Sequence, residues 1–254
     1  MAIMKRWIKT VILSCISHIL GDKSGKVVFY HDVFKDKKYT GMGTPLSMFR
    51  KHMFAARCRG WKIVDRIPSS DKELMVCFDD GFQGLYDCRD DIKAMDLHPT
   101  IFIAVNLVGK EGYMTWKEID ELQHEYGFIF ESHTWSHQTL VGRFIKGSPV
   151  ANRDEAWFKH ELTDSKAEIE RRLERKVTSI CFPAGLFSDD IVTRCQAAGY
   201  TNLFASYPGK LPITAGGVIP RHLVQGSNER EFIATLQGGL LPFKNRYLRQ
   251  HKHA

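Results

Sequence analysis

Leu74-Met75-Val76-Cys77-Phe78-Asp79-Asp80-Gly81 is an unbroken apolar run that ends on two carboxylates and a glycine. Five successive apolar residues read as a strand buried on both faces, which is the habit of parallel sheets. Gly81 lets the chain turn sharply out of it. Similar short runs recur at Val27–Tyr30, Trp61–Val64, Thr100–Val105, Phe128–Phe130, Ser179–Phe182, Tyr200–Ala205 and Val218–Ile219. Helical segments separate them. Thr44-Pro45 signals a helix reaching about Cys58, with Gly60 as its stop, and a second helix is expected from about Leu85 to Met95. Thr115-Trp116-Lys117-Glu118 is a capping box for a helix that Gly127 ends. A long charged helix is expected over about Arg153 to Arg175. Ser188 and Asn228 cap two more. Repeated strand–helix units in 254 residues predict an α/β fold: a single irregular (β/α) barrel of roughly seven strands. An open doubly wound sheet is the alternative.

In such a barrel the C-terminal strand ends face the active site. Asp79 and Asp80 occupy one such end, and adjacent side chains on an extended chain point apart. One can ligate a cation while the other stays free as a base. Taken alone, Asp-Asp-Gly is an ordinary turn. After the run Phe128–Phe130 comes Ser132-His133-Thr134-Trp135-Ser136-His137. His133 and His137 stand one helical turn apart, a spacing that puts both rings within reach of one ion. The residue after His133 is threonine, which excludes the HExxH of zinc proteases. Two histidines and one carboxylate leave coordination positions open for water and substrate.

With these groups in this order, the chain resembles the polysaccharide deacetylases, the NodB-homology family or family-4 carbohydrate esterases. The resemblance covers residues 27 to about 240. Phe78-Asp79-Asp80-Gly81 and Ser132 to His137 look like the family's first two motifs, and Cys181-Phe182-Pro183-Ala184-Gly185 falls where a third is expected. Phe29-Tyr30-His31-Asp32 is similar to the family's opening strand. Ile219-Pro220-Arg221 resembles a late strand of the subgroup acting on poly-N-acetylglucosamine. The resemblance implies Asp79 as general base, Asp80, His133 and His137 as ligands of one divalent metal, zinc being well suited, and a backbone N–H of the third motif as oxyanion donor. Pro183, Ala184, Trp135 and His31 are the implied substrate contacts. Two departures stand out. Cys181 occupies the place of an arginine that orients the base, so Arg221 is the replacement expected from another strand. Ala184 stands where an aromatic often follows the proline. The general acid is open between His222 and His31.

The resemblance therefore implies a metal-dependent hydrolase removing an N-acetyl group from an amino sugar of a glycan or glycan precursor. Two other readings compete: a carbohydrate-binding or scaffold protein with a degenerate domain, and an O-ester or linear-amide hydrolase using the same site. An N-acetylated carbohydrate is the expected partner. The oligomeric state is left open.

The remaining features bound the setting. Hydrophobic residues make up 43% of the chain and charged residues 26%, enough for a full core. The net charge of +7 favours an anionic partner. Much of the excess lies in Lys5, Arg6, Lys9, Lys244, Arg246, Arg249 and Lys252. No nucleic-acid motif accompanies these residues, so no nucleic-acid partner is expected. The six cysteines form no CxxC pair and read as free thiols, which favours a reducing compartment. Residues 4–20 carry a basic start and an apolar centre like a signal peptide, but Lys9 and His18 interrupt the apolar run. Their apolar residues also fall at helical spacing. They suit a helix lying on a membrane surface, or one packed on the catalytic domain. The expected organisation is an N-terminal amphipathic helix (1–24), a catalytic domain (25–240) and a basic tail (241–254). A cytoplasmic or inner-membrane-associated location is expected, with periplasmic export as the alternative. The Gly- and Pro-containing stretch 142–152 is a candidate rim loop.

Overall fold

The computed structural model describes residues 2–141 and 153–253. The candidate rim loop 142–152 lies outside the described residues. Strands β1 (Lys26–Tyr30), β2 (Glu73–Asp80), β3 (Thr100–Ile103), β4 (Ile129–Ser132), β5 (Ser179–Cys181) and β6 (Asn202–Ala205) pair in parallel, each with the next in the chain. The last strand, β7, comes in two pieces. Val218–Pro220 pairs with β6 and His222–Leu223 returns to β1, so the sheet nearly closes into a barrel. With those pieces taken separately and the short strand Lys62–Val64 added beside β2, the sheet has nine strands.

The helices wrapping this sheet are α1 (Ala2–Leu20), α2 (Leu46–Cys58), α3 (Trp116–Tyr126), α4 (Ser165–Leu173), α5 (Asp189–Ala197), α6 (Glu229–Leu236) and α7 (Lys244–His251). Their ends follow local chemistry. Thr115 and Glu118 exchange both bonds of the capping box, and Gly127 closes α3 at φ +68°. Ser188 and Asn228 accept the N–H groups of Ile191 and Glu231. Pro45 precedes α2 without a side-chain cap, because Thr44 lies in a short strand paired with Asp32–Phe34.

Three expectations need correction. The segment after β2 is two short helices, Gly84–Asp87 and Arg89–Ala94. The long charged helix is interrupted: Glu155–Lys159 leads into a π-helical turn at His160–Asp164 before α4. The basic tail is structured, since α7 is followed by Lys252–His253 pairing with Phe187–Ser188.

Strand alternation sorts the core into two populations. Val27, Phe29, Met75, Cys77, Phe102, Cys181, Phe204 and Ile219 fill the barrel. Val28, Tyr30, Val76, Phe78, Ile101 and Ile103 face the helices. The Phe102 and Phe204 rings meet at 5.1 Å inside. Truncating either to alanine would cost about 3–5 kcal/mol. The same alternation decides which side chains emerge at the mouth.

Candidate active site

On β2, Met75 and Cys77 point inward, so Asp79 follows them into the barrel. On β7, Ile219 points inward, so Arg221 does too. The two meet as a two-pronged ion pair, Nη1–Oδ1 2.6 Å and Nη2–Oδ2 2.7 Å. Asp79 is 3% exposed and Arg221 1%. The guanidinium is sandwiched near the Phe29 and Phe102 rings, at 4.1 and 5.2 Å, and also touches the Cys181 sulfur. From β7, Arg221 thus holds both oxygens of the Asp79 carboxylate. Burial pushes the Asp79 carboxyl up, but Arg221 outweighs it and holds the group below the ordinary carboxylate range.

Asp80 breaks the alternation. Regular geometry would aim it at the outer helices. Instead it adopts φ +73°, followed by Gly81 at +78°, and its carboxylate lies beside two imidazoles. Its Oδ1 is 3.5 Å from His133 Nε2 and 3.1 Å from His137 Nε2. Among the described residues that buried oxygen has no hydrogen-bond partner.

His133 Nδ1 lies 2.8 Å from the Cys181 carbonyl oxygen. A carbonyl only accepts, so Nδ1 carries the proton and Nε2 keeps its lone pair for a cation. Burial lowers the His133 pKa to about 4, with His137 adding to the effect, and keeps the ring neutral. For Asp80, burial pushes upward, but the adjoining His137 ring wins and the carboxyl is held at about 2. One carboxylate oxygen and two imidazole nitrogens within 4.8 Å of one another, all deprotonated at neutral pH when a cation is present, are the donor set of a divalent-metal site.

The two histidines do not lie on a helix, contrary to the spacing argument. Residues 133–137 form an irregular loop in which Thr134 and His137 have φ of +69° and +62°. Hydrogen bonds hold this shape. Ser132 Oγ accepts the Thr134 N–H, and Thr134 Oγ1 accepts the His137 N–H, each at 3.2 Å. One oxygen of Glu161 accepts the N–H groups of Trp135 and Ser136, at 3.0 and 2.9 Å. Glu161 is buried in the π-helical turn, a feature that often marks functional positions. Sequence reasoning missed it, because within a charged helical run nothing distinguishes it from its neighbours.

The other expected residues divide. His31 ends β1 at the same mouth. Its ring is held by Gln225 at 2.6 Å and lies near enough to interact with both Asp79 and Asp80. Pro183 is buried in the chain turn after β5, where Ala184 is exposed at φ +56°. Trp135 is half-buried, with its ring 4.3 Å from His160. His222 is not brought to the cluster. It alternates away from Arg221 on β7, sits in register with outward-facing Val28, and its Nε2 reaches the Gly209 carbonyl at 3.2 Å.

A parallel barrel with this cluster at its strand ends is the NodB-type (β/α) barrel. Residues 66–203, more than half of the chain, match the family model for polysaccharide deacetylase, and the chain belongs to that family. It is 24% identical over 195 residues to YxkH of Bacillus subtilis (strain 168), which is named after the same family. That alignment covers 72% of this chain and 64% of YxkH, so the chain spans less than two thirds of this relative. Among solved structures, BC0361, a polysaccharide deacetylase from Bacillus cereus, superposes with a TM-score of 0.69 at 20% identity, over 85% of this chain and 69% of that one. IcaB from Ammonifex degensii gives 0.69 at 18% identity, over 85% and 97%. A de-N-acetylase from Aggregatibacter actinomycetemcomitans gives 0.68 at 18%, over 84% and 99%. At these identities the likeness establishes the fold.

Proposed function

We propose that this protein is a metal-dependent hydrolase that removes an N-acetyl group from an amino sugar of a glycan or glycan precursor. The observation carrying this reading is the convergence of Asp80, His133 and His137 beside an Asp79 clamped by Arg221. The buried, unpartnered Asp80 oxygen and the two available imidazole nitrogens fit a divalent ion, zinc or another first-row metal. When bound, such an ion would acidify a water molecule and polarise the acyl carbonyl.

The chain supplies the rest. Asp79, kept ionised by Arg221, accepts the proton of the attacking water. Arg221 fixes the carboxylate in one orientation by occupying both its oxygens. A backbone N–H of the Pro183–Gly185 turn is the proposed oxyanion donor. His31, at the mouth and oriented by Gln225, is the proposed proton source for the leaving amine. Trp135 and Ala184 line the sugar. The name of one structural neighbour, a de-N-acetylase, supports the amide as the bond cleaved.

The test is acetate release from N-acetylated amino-sugar oligosaccharides, with O-acetylated analogues in parallel. Turnover abolished by a chelator, restored by metal, and lost in Asp79→Asn is the expected outcome. Release from esters alone would move the assignment to an esterase. Sugar binding without any turnover, unchanged in His133→Ala, would make the domain a binding module.

A further inference from the structure

Helix α1 inverts the usual arrangement of a surface helix, whose apolar stripe normally faces the core. It docks on α6 through a mixed face that includes polar positions. Thr10 Oγ1 donates to Glu231 at 2.7 Å, while Leu13 and Ser17 are buried. The fit is close: a side chain at Gly239 would meet the Leu13 carbonyl at 2.8 Å. On the opposite side, at 3.6 residues per turn, lie Met4, Trp7, Ile8, Val11, Ile12 and Ile19, exposed by 39–81%. So large a contiguous apolar face marks an interaction surface.

Charge identifies what covers it. The α1 and α7 segments meet along a groove lined by Ile8, Lys9, Ile12, Phe243, Arg246 and Tyr247. Residues 1–20 and 237–254 contain Lys5, Arg6, Lys9, Lys244, Arg246, Arg249 and Lys252 and no carboxylate side chain. Removing these seven from the 36 Lys and Arg leaves 29, equal to the 29 Asp and Glu. The whole formal excess of +7 therefore sits on these two neighbouring segments. Lys252 pairs with Asp189. Lys9, Lys244, Arg246 and Arg249 have no carboxylate partner among the described residues.

We propose that α1 and α7 together form a docking surface for an anionic lipid bilayer. Helix α1 lies in the interfacial plane with its apolar face among the acyl chains and the basic residues at the headgroups. A second copy of the chain is the poorer occupant, since a twofold contact would set like charges against each other. Among the described residues no helix is long and apolar enough to cross a membrane, which matches a helix that lies on the surface. The surface would hold the enzyme against a membrane whatever bond its site cleaves.

Sedimentation of the full-length protein with vesicles tests this. Binding to phosphatidylcholine vesicles containing about one-third phosphatidylglycerol should far exceed binding to phosphatidylcholine alone, and about 1 M salt should abolish the difference. Each basic residue at such a surface is worth roughly fivefold in partitioning, so Lys9, Arg246 and Arg249 all changed to Gln should lose up to about 100-fold. Trp7→Ser with Val11→Ser should release the protein from the anionic vesicles while leaving its melting temperature in place, because both positions are exposed. Equal binding to neutral and anionic vesicles, or to neither, would overturn the proposal. So would a lipid-free dimer dissociated by the same two serine substitutions, which would give the face to a second copy.

Discussion

Changing Arg221 to methionine removes the guanidinium and keeps an aliphatic chain between Phe29 and Phe102. Asp79 then remains buried, having lost contacts of 2.6 and 2.7 Å and keeping the weak contact from the Cys181 thiol at 3.9 Å. Because both partners are nearly inaccessible, solvent cannot take over. Removing one member of such a pair costs about 3–5 kcal/mol, a large part of the 5–15 kcal/mol that typically stabilises a domain. Burial, no longer offset by Arg221, should push the Asp79 carboxyl up, against the weaker pull of the His133 and His31 rings. Equilibrium urea unfolding gives the stability change, and the pH profile of kcat/KM should show its acid limb displaced upward. Adding Asp79→Asn to Arg221→Met removes the stranded charge, so the double variant should be more stable than the sum of the two single losses. Additive losses, or an Arg221→Met cost below about 1 kcal/mol, would refute the claim that this ion pair positions the base.

Other outcomes follow from the same geometry. Glu161→Ala should weaken metal binding by about 10- to 100-fold in calorimetric titration, while Glu161→Gln, which keeps an acceptor for the Trp135 and Ser136 N–H groups, should lose less; equal behaviour of the two would remove Glu161 from the support of the loop. A divalent metal at about 100 times its dissociation constant should raise stability by about 2.7 kcal/mol, and this gain should vanish in His137→Ala. His52 offers a pH test away from the site: it accepts from the Tyr30 hydroxyl and donates to the Ser227 carbonyl. Burial, only partly offset by Ser227, lowers its pKa to about 4, so the unfolded chain takes up the proton first. Its contribution is fully present above about pH 6.5 and is lost as pH falls toward 4, up to about 3 kcal/mol. Thermal melts across that window should show a shallower slope for His52→Gln.

Much of this molecule is local in origin. The run Leu74 to Phe78, the capping boxes at Thr115 and Asn228, and the stop at Gly127 are readable because each depends on contacts a few residues apart. The chemical types at 79, 80, 133 and 137 were equally plain. Their arrangement was not. Helical spacing singled out two histidines whose rings do meet, but a loop with two left-handed residues brings them together rather than a helix. That loop depends on Glu161, 25 residues away from Ser136, through a hydrogen bond no local pattern encodes.

The sequence by itself determined the strand–helix order, the barrel class and the family, because periodicity and short motifs carry that information. Tertiary structure alone decided which groups meet: Arg221 with Asp79, 142 positions apart, and the Asp80 oxygen with two imidazoles. It also excluded His222 from the cluster and turned the apolar face of α1 outward. Those outcomes depend on barrel closure and helix docking. Both are set by burying the core as a whole, and long-range contacts of that kind leave no trace in residue spacing.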